Sequence, residues 1–414
     1  MIRLLFLFLP FLASSAVLKV GKNEPYKSIS QAVAASKSGD SIMVHSGVYR
    51  EGNISINHPL SLIGVGRPVL DGQMKYEILS LRADRIVVKG FKIINSGEDQ
   101  IKNIGAIRLY NSRFTTVANN ILENNYFGIY IQRGYRCLIE NNRIISNRAT
   151  SQERIGDGIH AWVSDEIWIK NNYIEGQRDG IYLEKVINSY IYRNYAKKNL
   201  RYGLHFMSSN DDVYVGNTFD NNNAGVAVMY SNNVGMVSNS FINNWGDANY
   251  GLLLKDISFS KIKHNRFQNN TTAIFMDGAT KIDFFRNNLE DNGWAMKINS
   301  NCMENRIVNN NFVNNVFDVS TTGTMTMNDF RQNYWDKYSG YDLDKDKIGD
   351  VPYHPLSLYS ALVENNPSVM LLFRTFFVDL LDKTEKIVPS LTPENFVDEQ
   401  PLMRRVEWRL ETER

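Results

Sequence analysis

Short runs of alternating apolar and polar residues recur along the middle of the chain, and each run begins at a glycine. Six of these glycines are Gly128, Gly158, Gly180, Gly203, Gly225 and Gly251. An asparagine follows each of them after 14 residues, and the period is 22 or 23 residues except where longer inserts follow Asn142 and Asn239. Alternation with period two predicts strands, and a fixed segment joined to a variable one is typical of a solenoid. The pattern therefore predicts an all-β, single-stranded parallel β-helix. Its asparagines can hydrogen-bond along a turn column, although their tolerance of left-handed backbone is by itself a sufficient reason for their place in the turns.

Different patterns at the two ends of the repeat predict capping elements. Ser28 is placed to cap a short helix that ends at Ser36 and closes the first coil. The apolar residues of this helix are Ile29, Ala32, Val33 and Ala35. After Ser320 the periodicity stops. Asn366 and Pro367 then predict a helix start, because proline is favoured at the first helical position.

Residues 1–16 have the pattern of a secretory signal peptide, with a basic start, an apolar run and small residues for cleavage. The alternative is an uncleaved N-terminal anchor. No other window approaches the ~20 apolar residues that a membrane-spanning helix needs. We therefore expect the mature chain to begin near Val17 outside the cytoplasm, which in a bacterium is the periplasm. The rest of the chain is divided into an N-terminal cap with the first coils (17–84), β-helix repeats (85–320), a loop region with an aspartate-rich turn (321–365) and a helix with an extended tail (366–414).

The composition narrows the classes of partner and site. The 46 lysines and arginines nearly balance the 44 aspartates and glutamates, so no basic surplus supports a nucleic-acid partner. The two cysteines exclude a disulfide scaffold and a thiolate zinc cluster. Cys137 and Cys302 lie about seven coils apart, roughly 34 Å at the stacking distance of strands, so they cannot pair with each other. Both are predicted to be buried thiols.

Strand alternation also predicts which side chains face outwards. Residues one and three positions after each glycine are apolar and face the core, so residues two and four positions after it face out. The outward columns contain His160, Tyr182 and His205 in one and Trp162, Glu184, Met207 and Met229 in the other. Thioether sulfur, imidazole and carboxylate form a ligand set that suits Cu(I). The predicted copper ligands are His205, Met207 and Met229, with Glu184 and His160 as further ligands. The alternative is that this surface is an apolar docking site.

An aspartate-rich loop near the C-terminus resembles a calcium-binding loop, because Asp342, Asp344 and Asp346 alternate along it. However, Lys345 and Lys347 occupy positions where a tight calcium loop avoids cations, and no glutamate completes the twelfth position. We therefore interpret the loop as a solvated turn and do not expect calcium there.

The β-helix is also a scaffold of polysaccharide lyases, hydrolases and epimerases, so the fold by itself raises the alternative of a carbohydrate-active enzyme. These chemistries need clustered carboxylates. The carboxylates of the two outward columns are Glu184 and Asp277, four coils and about 19 Å apart, whereas paired-carboxylate glycosidases need them within ~9.5 Å. We therefore predict no catalytic residues and keep the enzyme as the alternative function.

Several strings of residues resemble the NosD family. They are residues 203–208 (GLHFMS), 225–230 (GVAVMY), 244–246 (NWG), 250–257 (YGLLLKDI), 292–295 (NGWA), 333–335 (NYW), 342–353 and 401–404 (PLMR). The match covers most of the predicted mature chain. It departs from the family at residues 344–347, where Asp-Lys-Asp-Lys replaces the usual Asp-Gly-Asp-Gly. This departure further weakens a calcium role.

The resemblance implies a right-handed β-helix that acts in the periplasm as a non-enzymatic accessory protein for maturation of nitrous oxide reductase. Such proteins help to deliver copper, with sulfur as another cargo, for the copper sites of the reductase. They work with an ABC transporter made of an ATPase and a permease subunit, so any ATPase activity belongs to the partner. They receive copper from a lipoprotein chaperone, and the transporter holds them at the inner membrane.

The C-terminal tail is predicted to dock on the permease subunit. The helix after Asn365 is apolar on nearly every face, and an exposed apolar patch of that size is typical of an interface. The proline-containing segment after Lys383 predicts an extended arm. The predicted contact residues are Leu372, Phe373, Phe376 and Phe377 in the helix and Phe396, Leu402, Met403 and Trp408 in the arm.

Overall fold

The computed structural model describes residues 15–99, 102–147, 154–246, 249–322, 327–373, 375–387 and 396–407. These residues form a right-handed parallel β-helix, as predicted. Three parallel sheets of 14, 13 and 12 strands run along the molecule, and a complete coil contributes one short strand to each sheet. Nearly all of the predicted signal peptide (residues 1–16) and Trp408 lie outside the described residues.

The strands are given sheet by sheet in chain order. Sheet 1 comprises Val17–Val20, Ser41–His45, Ser61–Val65, Val87–Lys89, Thr116–Ala118, Leu138–Glu140, Trp168–Lys170, Tyr190–Tyr192, Val213–Val215, Gly235–Val237, Lys261–Lys263, Asp283–Phe285, Arg306–Val308 and Asp329–Arg331. Sheet 2 comprises Val48–Tyr49, Val69–Asp71, Lys92–Ile94, Ile121–Glu123, Arg143–Ile145, Tyr173–Glu175, Tyr195–Lys197, Thr218–Asp220, Ser240–Ile242, Arg266–Gln268, Asn288–Glu290, Asn311–Val313 and Tyr334–Trp335. Sheet 3 comprises Ile54–Ile56, Leu79–Leu81, Gly105–Tyr110, Phe127–Gln132, Ile159–Trp162, Asp179–Glu184, Tyr202–Met207, Ala224–Met229, Tyr250–Lys255, Thr272–Asp277, Trp294–Ile298 and Phe317–Thr321.

The core consists of apolar columns in which like residues of successive coils stack. In sheet 3 the parallel register places Ile159 over Ile129 and Ile181 over Ile159. Residues one and three positions after the six repeat glycines all have an exposed fraction of 0%. Period-two alternation therefore assigned the inner face of sheet 3 correctly.

The repeated asparagines form a hydrogen-bonded ladder inside the turn between sheets 1 and 2. Except in the last of them, the side-chain Nδ2 donates to Oδ1 of the ladder asparagine in the next coil at 2.9–3.1 Å. The ladder contains Asn120, Asn142, Asn172, Asn194, Asn217, Asn239, Asn265, Asn287, Asn310 and Asn333. It satisfies polar groups that the coils bury, and it confirms the predicted turn column.

A short helix, α1 (Ile29–Ala35), closes the N-terminal end of the solenoid. The hydroxyl of Ser28 accepts a hydrogen bond from the backbone N–H of Gln31 at 3.2 Å, as expected for an N-cap. Ile29, Ala32 and Val33 are buried against the first coils, whereas Ala35 is exposed. The predicted capping helix is therefore present.

The coils continue beyond Ser320, where the sequence pattern stops. The strands Asp329–Arg331 and Tyr334–Trp335 add to sheets 1 and 2. Two helices then follow, α2 (Leu358–Asn365) and α3 (Phe376–Ile387), with a 3₁₀ helix (Pro367–Leu372) between them. The side chain of Asn366 caps the 3₁₀ helix, so the predicted start is correct, but the predicted single helix is broken before α3. None of the described helices is long and apolar enough to cross a membrane.

Residues 396–407 return to the solenoid and cover its last coil, which corrects the predicted extended arm. Phe396 is 1% exposed and packs edge-to-face on Phe330. The backbone N–H of Leu402 donates to the carbonyl of Asn333 at 2.9 Å, and that of Met403 donates to the carbonyl of Lys347 at 3.0 Å. An open coil exposes both its core and its unpaired strand edges, and these residues cover them. Phe396 is therefore not available for the predicted docking contact, whereas Leu402 and Met403 are half-buried.

Candidate functional site

The outer face of sheet 3 carries the two predicted columns in the predicted register. His160 pairs with Tyr182, which pairs with His205. In the neighbouring column Glu184 pairs with Met207, which pairs with Met229. Strand pairing therefore places all five predicted copper ligands on one surface of four successive coils.

Both histidines face away from the core but are more buried than alternation alone predicts. Their side chains are 8% exposed for His160 and 7% exposed for His205. The Nδ1 atom of His160 lies 2.9 Å from Oδ2 of Asp157, and that of His205 lies 3.3 Å from Oδ2 of Asp179. Both aspartates are fully buried. Each histidine is therefore fixed by a carboxylate beneath it.

Two arginines hold these aspartates in place. Arg178 donates from Nε and Nη2 to the two carboxylate oxygens of Asp157, both at 3.1 Å. Arg201 donates from Nε to Asp179 at 2.8 Å, and its Nη2 contacts the second oxygen. Burial opposes ionisation of Asp179, but hydrogen bonds from Arg201 and His205 outweigh it and lower the pKa of this carboxyl group. Asp179 is therefore ionised at neutral pH.

Stacked aromatic rings cover the histidines from both sides. The ring centroid of His160 lies 4.7 Å from that of Tyr130 and 4.6 Å from that of Tyr182. His205 stacks on the other side of Tyr182 at 4.4 Å, with an angle of 7° between the rings. This ladder of rings explains the burial of side chains that lie on an outer face.

The second ring nitrogen of each histidine has no hydrogen-bond partner. Nε2 of His160 and Nε2 of His205 are both shielded from solvent and unpaired. Nδ1 of His205 also lies 3.4 Å from Nη2 of Arg201, a donor, but each Nδ1 is nearer to a carboxylate. We therefore assign the ring proton to Nδ1 and the lone pair to Nε2. Metal-binding histidines share this arrangement, in which a carboxylate holds one ring nitrogen and the other is free to act as a ligand.

The structure brings some of the predicted ligands together and separates others. Oε2 of Glu184 lies 4.0 Å from Nε2 of His160. Met207 and Met229 are half-buried neighbours on adjacent strands. An open cleft of about 560 Å³ is lined by His160 and Glu184 together with aromatic and basic residues, whereas His205 and the methionines are not part of its lining.

Asp157 and Asp179 lie outside the two outward columns predicted from the sequence, which contain only positions two and four after each glycine. Both residues directly precede a repeat glycine, and both lie under the outer face of sheet 3. The signal that could have found them is the pair of dipeptides Asp157-Gly158 and Asp179-Gly180, each with a ring two residues after the glycine. Asp157 and Asp179 add two carboxylates to this face, but each is already paired with an arginine and a histidine.

The aspartate-rich loop brings its three predicted carboxylates within 4.8 Å of one another. These oxygens accept hydrogen bonds from the loop itself, including the backbone N–H groups of Lys345 and Lys347 on Asp342. Lys345 has φ of 65° and Lys347 has φ of 74°. The left-handed region is easiest for glycine, which explains physically why glycines suit these two positions of the loop.

The cysteines lie in the core of the solenoid. Cys137 and Cys302 are fully buried, as predicted, and both are free thiols. Burial raises the pKa of each thiol to about 11. Neither side chain is therefore part of the outer surface that carries the predicted copper ligands.

The helical segment has one packed face and one exposed apolar face. Tyr359 and Val363 of α2 and Val378 of α3 form a cluster with Trp294 and Phe317 on the outer face of sheet 3. The exposed fractions on the other face are 39% for Leu372, 38% for Phe373, 79% for Phe376 and 48% for Phe377, and Leu371 reaches 87%. The four helical residues predicted to dock are therefore exposed, unlike Phe396.

Solved structures with the same architecture differ widely in activity. The adhesin PfbA of Streptococcus pneumoniae is 13% identical, covers 71% of this chain and 87% of its own, and has a TM-score of 0.57. A family 28 exopolygalacturonase of Yersinia enterocolitica is 11% identical, covers 77% and 78%, and has a TM-score of 0.56. At such low identity these similarities show the fold alone.

Sequence comparison is more specific. Residues 27–174 match a profile described as a right-handed beta helix region, and residues 148–340 match one described as periplasmic copper-binding protein (NosD). A Pseudomonas aeruginosa protein named probable ABC transporter binding protein NosD is 28% identical over 85% of this chain and 86% of its own length. A protein of the same name from Stutzerimonas stutzeri is 24% identical over 88% and 87%. These matches show that the chain is similar to proteins named NosD over most of its length, and that its residues 148–340 carry the profile of the periplasmic copper-binding NosD proteins.

Proposed function

We propose that this protein binds Cu(I) on the outer face of sheet 3 and delivers it, with an ABC transporter, for maturation of nitrous oxide reductase. The observation that carries the proposal is the unpaired Nε2 of His205. Asp179 holds this ring through Nδ1, and Met207 lies on the same strand as His205. Met229 on the next strand supplies a second thioether. Sulfur is the other cargo that we consider for this pathway.

The donor set fits copper better than the hard divalent cations. Thioether and imidazole donors select Cu(I), whereas calcium and magnesium need several oxygen ligands. The carboxylate on Nδ1 fixes the orientation of the ring, as in metal-binding histidines. Met207 and Met229 have flexible, polarizable side chains that can turn towards an arriving ion. These residues therefore supply the chemistry for binding an ion that must later be released.

Replacing both Met207 and Met229 with leucine is expected to weaken Cu(I) binding by ~100-fold or more, because loss of supporting outer residues alone costs about 10–100-fold. The measurement is a Cu(I) titration against a chromogenic chelator. Met303→Leu is the matched control, since Met303 is exposed on a turn far from this surface. Unchanged affinity in the double variant would show that the thioethers are not ligands.

The partners that we propose follow from the family and from the helical segment. The named relatives are binding proteins of ABC transporters, and we propose that this chain docks on the permease subunit, with ATP hydrolysis in the separate ATPase. The exposed apolar face of the 3₁₀ helix and α3 supports this contact. A lipoprotein chaperone is the proposed copper donor, and nitrous oxide reductase is the proposed recipient. The transporter would hold the protein at the periplasmic side of the inner membrane.

Replacing Phe376 and Phe377 with serine is expected to abolish copurification with the permease while leaving copper binding intact. Both rings are exposed, so their loss does not disturb the core. Phe259→Ser is the control, because Phe259 is 53% exposed on a turn of the solenoid. The measurement is recovery of the permease on the tagged protein from detergent-solubilised membranes. Full recovery with the double variant would place the contact elsewhere.

A further inference from the structure

We propose that the five predicted ligands form two separate copper positions of different chemical character. One position consists of His160 and Glu184, and the other consists of His205, Met207 and Met229. The inference rests on the proposed copper-binding function, and it replaces a single shared site with two neighbouring ones.

Tyr182 prevents the two histidines from binding one ion. Its ring lies between them, with centroids 4.6 Å from His160 and 4.4 Å from His205. Two imidazole nitrogens on one ion, each at about 2.0–2.1 Å, lie within about 4.2 Å of each other. His160 and His205 lie two strands apart, about 9.6 Å at the spacing of strands, so their nitrogens cannot reach one ion while both rings stay stacked on Tyr182.

The histidines are also fixed where they stand. Rotating His160 towards its partner would break its 2.9 Å contact with Asp157, and moving His205 would break its contact with Asp179. Both carboxylates are fully buried and hydrogen-bonded to arginines. Moving a histidine would leave its buried carboxylate with one hydrogen-bond donor fewer, which is unfavourable, so each ring stays with its own aspartate.

Each histidine has its own set of donors. Nε2 of His160 and Oε2 of Glu184 are 4.0 Å apart, a separation that two ligands of one ion can have. Both line the open cleft, where water can complete the coordination. His205 shares a strand with Met207, and Met229 pairs with Met207 on the next strand. The two thioethers therefore lie on the His205 side of Tyr182.

The two sets differ in their preference for oxidation state. Imidazole with carboxylate and water suits Cu(II), whereas imidazole with two thioethers suits Cu(I). The ring of Tyr182 stacks on both histidines, so we treat this residue as a spacer between the two positions and test the role of its hydroxyl group by substitution.

The test uses the full mature protein with Cu(II) and with Ag(I), which imitates Cu(I) but does not change oxidation state. Wild-type protein is expected to bind one Cu(II), seen by electron paramagnetic resonance with nitrogen and oxygen ligands, and one Ag(I), counted by native mass spectrometry. The variant His160→Gln/Glu184→Gln should lose Cu(II) and keep Ag(I). Met207→Leu/Met229→Leu should lose Ag(I) and keep Cu(II).

Two controls separate ligand loss from loss of structure. His45→Gln alters a histidine that also lies near a carboxylate, 3.5 Å from Glu24, but outside this surface. The His45→Gln variant should bind both Cu(II) and Ag(I) like the wild type. Tyr182→Phe keeps the ring that separates the positions and should also bind both. The thermal unfolding midpoint of every variant checks that the solenoid is intact.

The other outcomes have distinct meanings. A single bound ion that carries both nitrogen and sulfur ligands, and that both double variants lose, would overturn the two positions and leave the proposed function standing. Binding of Ag(I) without Cu(II) would also overturn the His160–Glu184 position. If the wild-type protein bound neither ion, the proposed copper function itself would be wrong.

Discussion

Replacing Asp398 with alanine is expected to lower the free energy of unfolding by about 3–5 kcal/mol, because it leaves several buried donors without an acceptor. Asp398 is fully buried and ends the asparagine ladder. Its Oδ2 accepts from the backbone N–H of Asn333 at 2.9 Å, from Nδ2 of Asn333 at 3.1 Å and from Nε1 of Trp335 at 3.0 Å. Its Oδ1 accepts from the backbone N–H of Gln332 at 3.0 Å.

Denaturant unfolding followed by tryptophan fluorescence measures this effect, since Trp335 lies at the cap. Asp398→Asn keeps one acceptor oxygen and should have an intermediate effect. Asp344→Ala is the matched control, because Asp344 is exposed, and it should stay within about 0.5 kcal/mol of the wild type. A loss of no more than about 0.5 kcal/mol in the free energy of unfolding of Asp398→Ala would contradict the capping role of this residue. This cap also limits the ways in which docking on the permease can be tested. A truncation after residue 365 would remove Asp398 and Phe396 from the end of the solenoid, so substitutions of exposed residues such as Phe376 and Phe377 are the better test.

Replacing Asp212 with asparagine is expected to stabilise the protein by about 2–4 kcal/mol above pH 8 and to have little effect near pH 4. Asp212 is fully buried in the turn between sheets 3 and 1. One oxygen accepts from the backbone N–H of Ser189 at 2.8 Å, and Oδ2 has no partner. Burial is the largest cause that raises the pKa of Asp212, to about 8.

The sign follows from the protons bound in each state. The unfolded carboxyl group titrates near pH 4, whereas the folded one keeps its proton up to about pH 8. Between these values the folded state binds more protons, so stability falls as the pH rises and levels off above about pH 8. An asparagine carries no charge and removes this loss.

The chain itself shows that an amide fits this kind of turn. Asn305 occupies the equivalent position four coils later, where its Nδ2 donates to the carbonyl of Ala279 at 2.9 Å. Unfolding free energies of Asp212→Asn and wild type at pH 5 and pH 8.5 provide the measurement. Asp256→Asn is the control, since Asp256 is exposed in a turn of the same kind and, unlike Asp211, does not contribute to the raised pKa of Asp212. If the free energy of unfolding of Asp212→Asn fell as much as that of the wild type between pH 5 and pH 8.5, Asp212 would not be the titrating group.

The repeat and the directions of its side chains could be predicted because they are local properties. Period-two alternation decides which residues of a strand face the core, and a constant glycine-to-asparagine spacing returns like residues to like positions in each coil. For this reason the β-helix, the asparagine ladder and the column of Glu184, Met207 and Met229 all follow from the pattern. The cap by α1 follows from Ser28 and its neighbouring apolar residues.

Contacts between residues far apart in sequence were decided only by the tertiary structure. The stacking of His160, Tyr182 and His205 joins three coils, so their burial and the spacing role of Tyr182 depend on how the coils twist and pack. Asp398 reaches Asn333 across 65 residues, and no local pattern distinguishes such a cap from an exposed arm. Alternation determines which face a side chain is on, but only packing between coils determines whether that side chain meets water, a partner or the rest of its own chain.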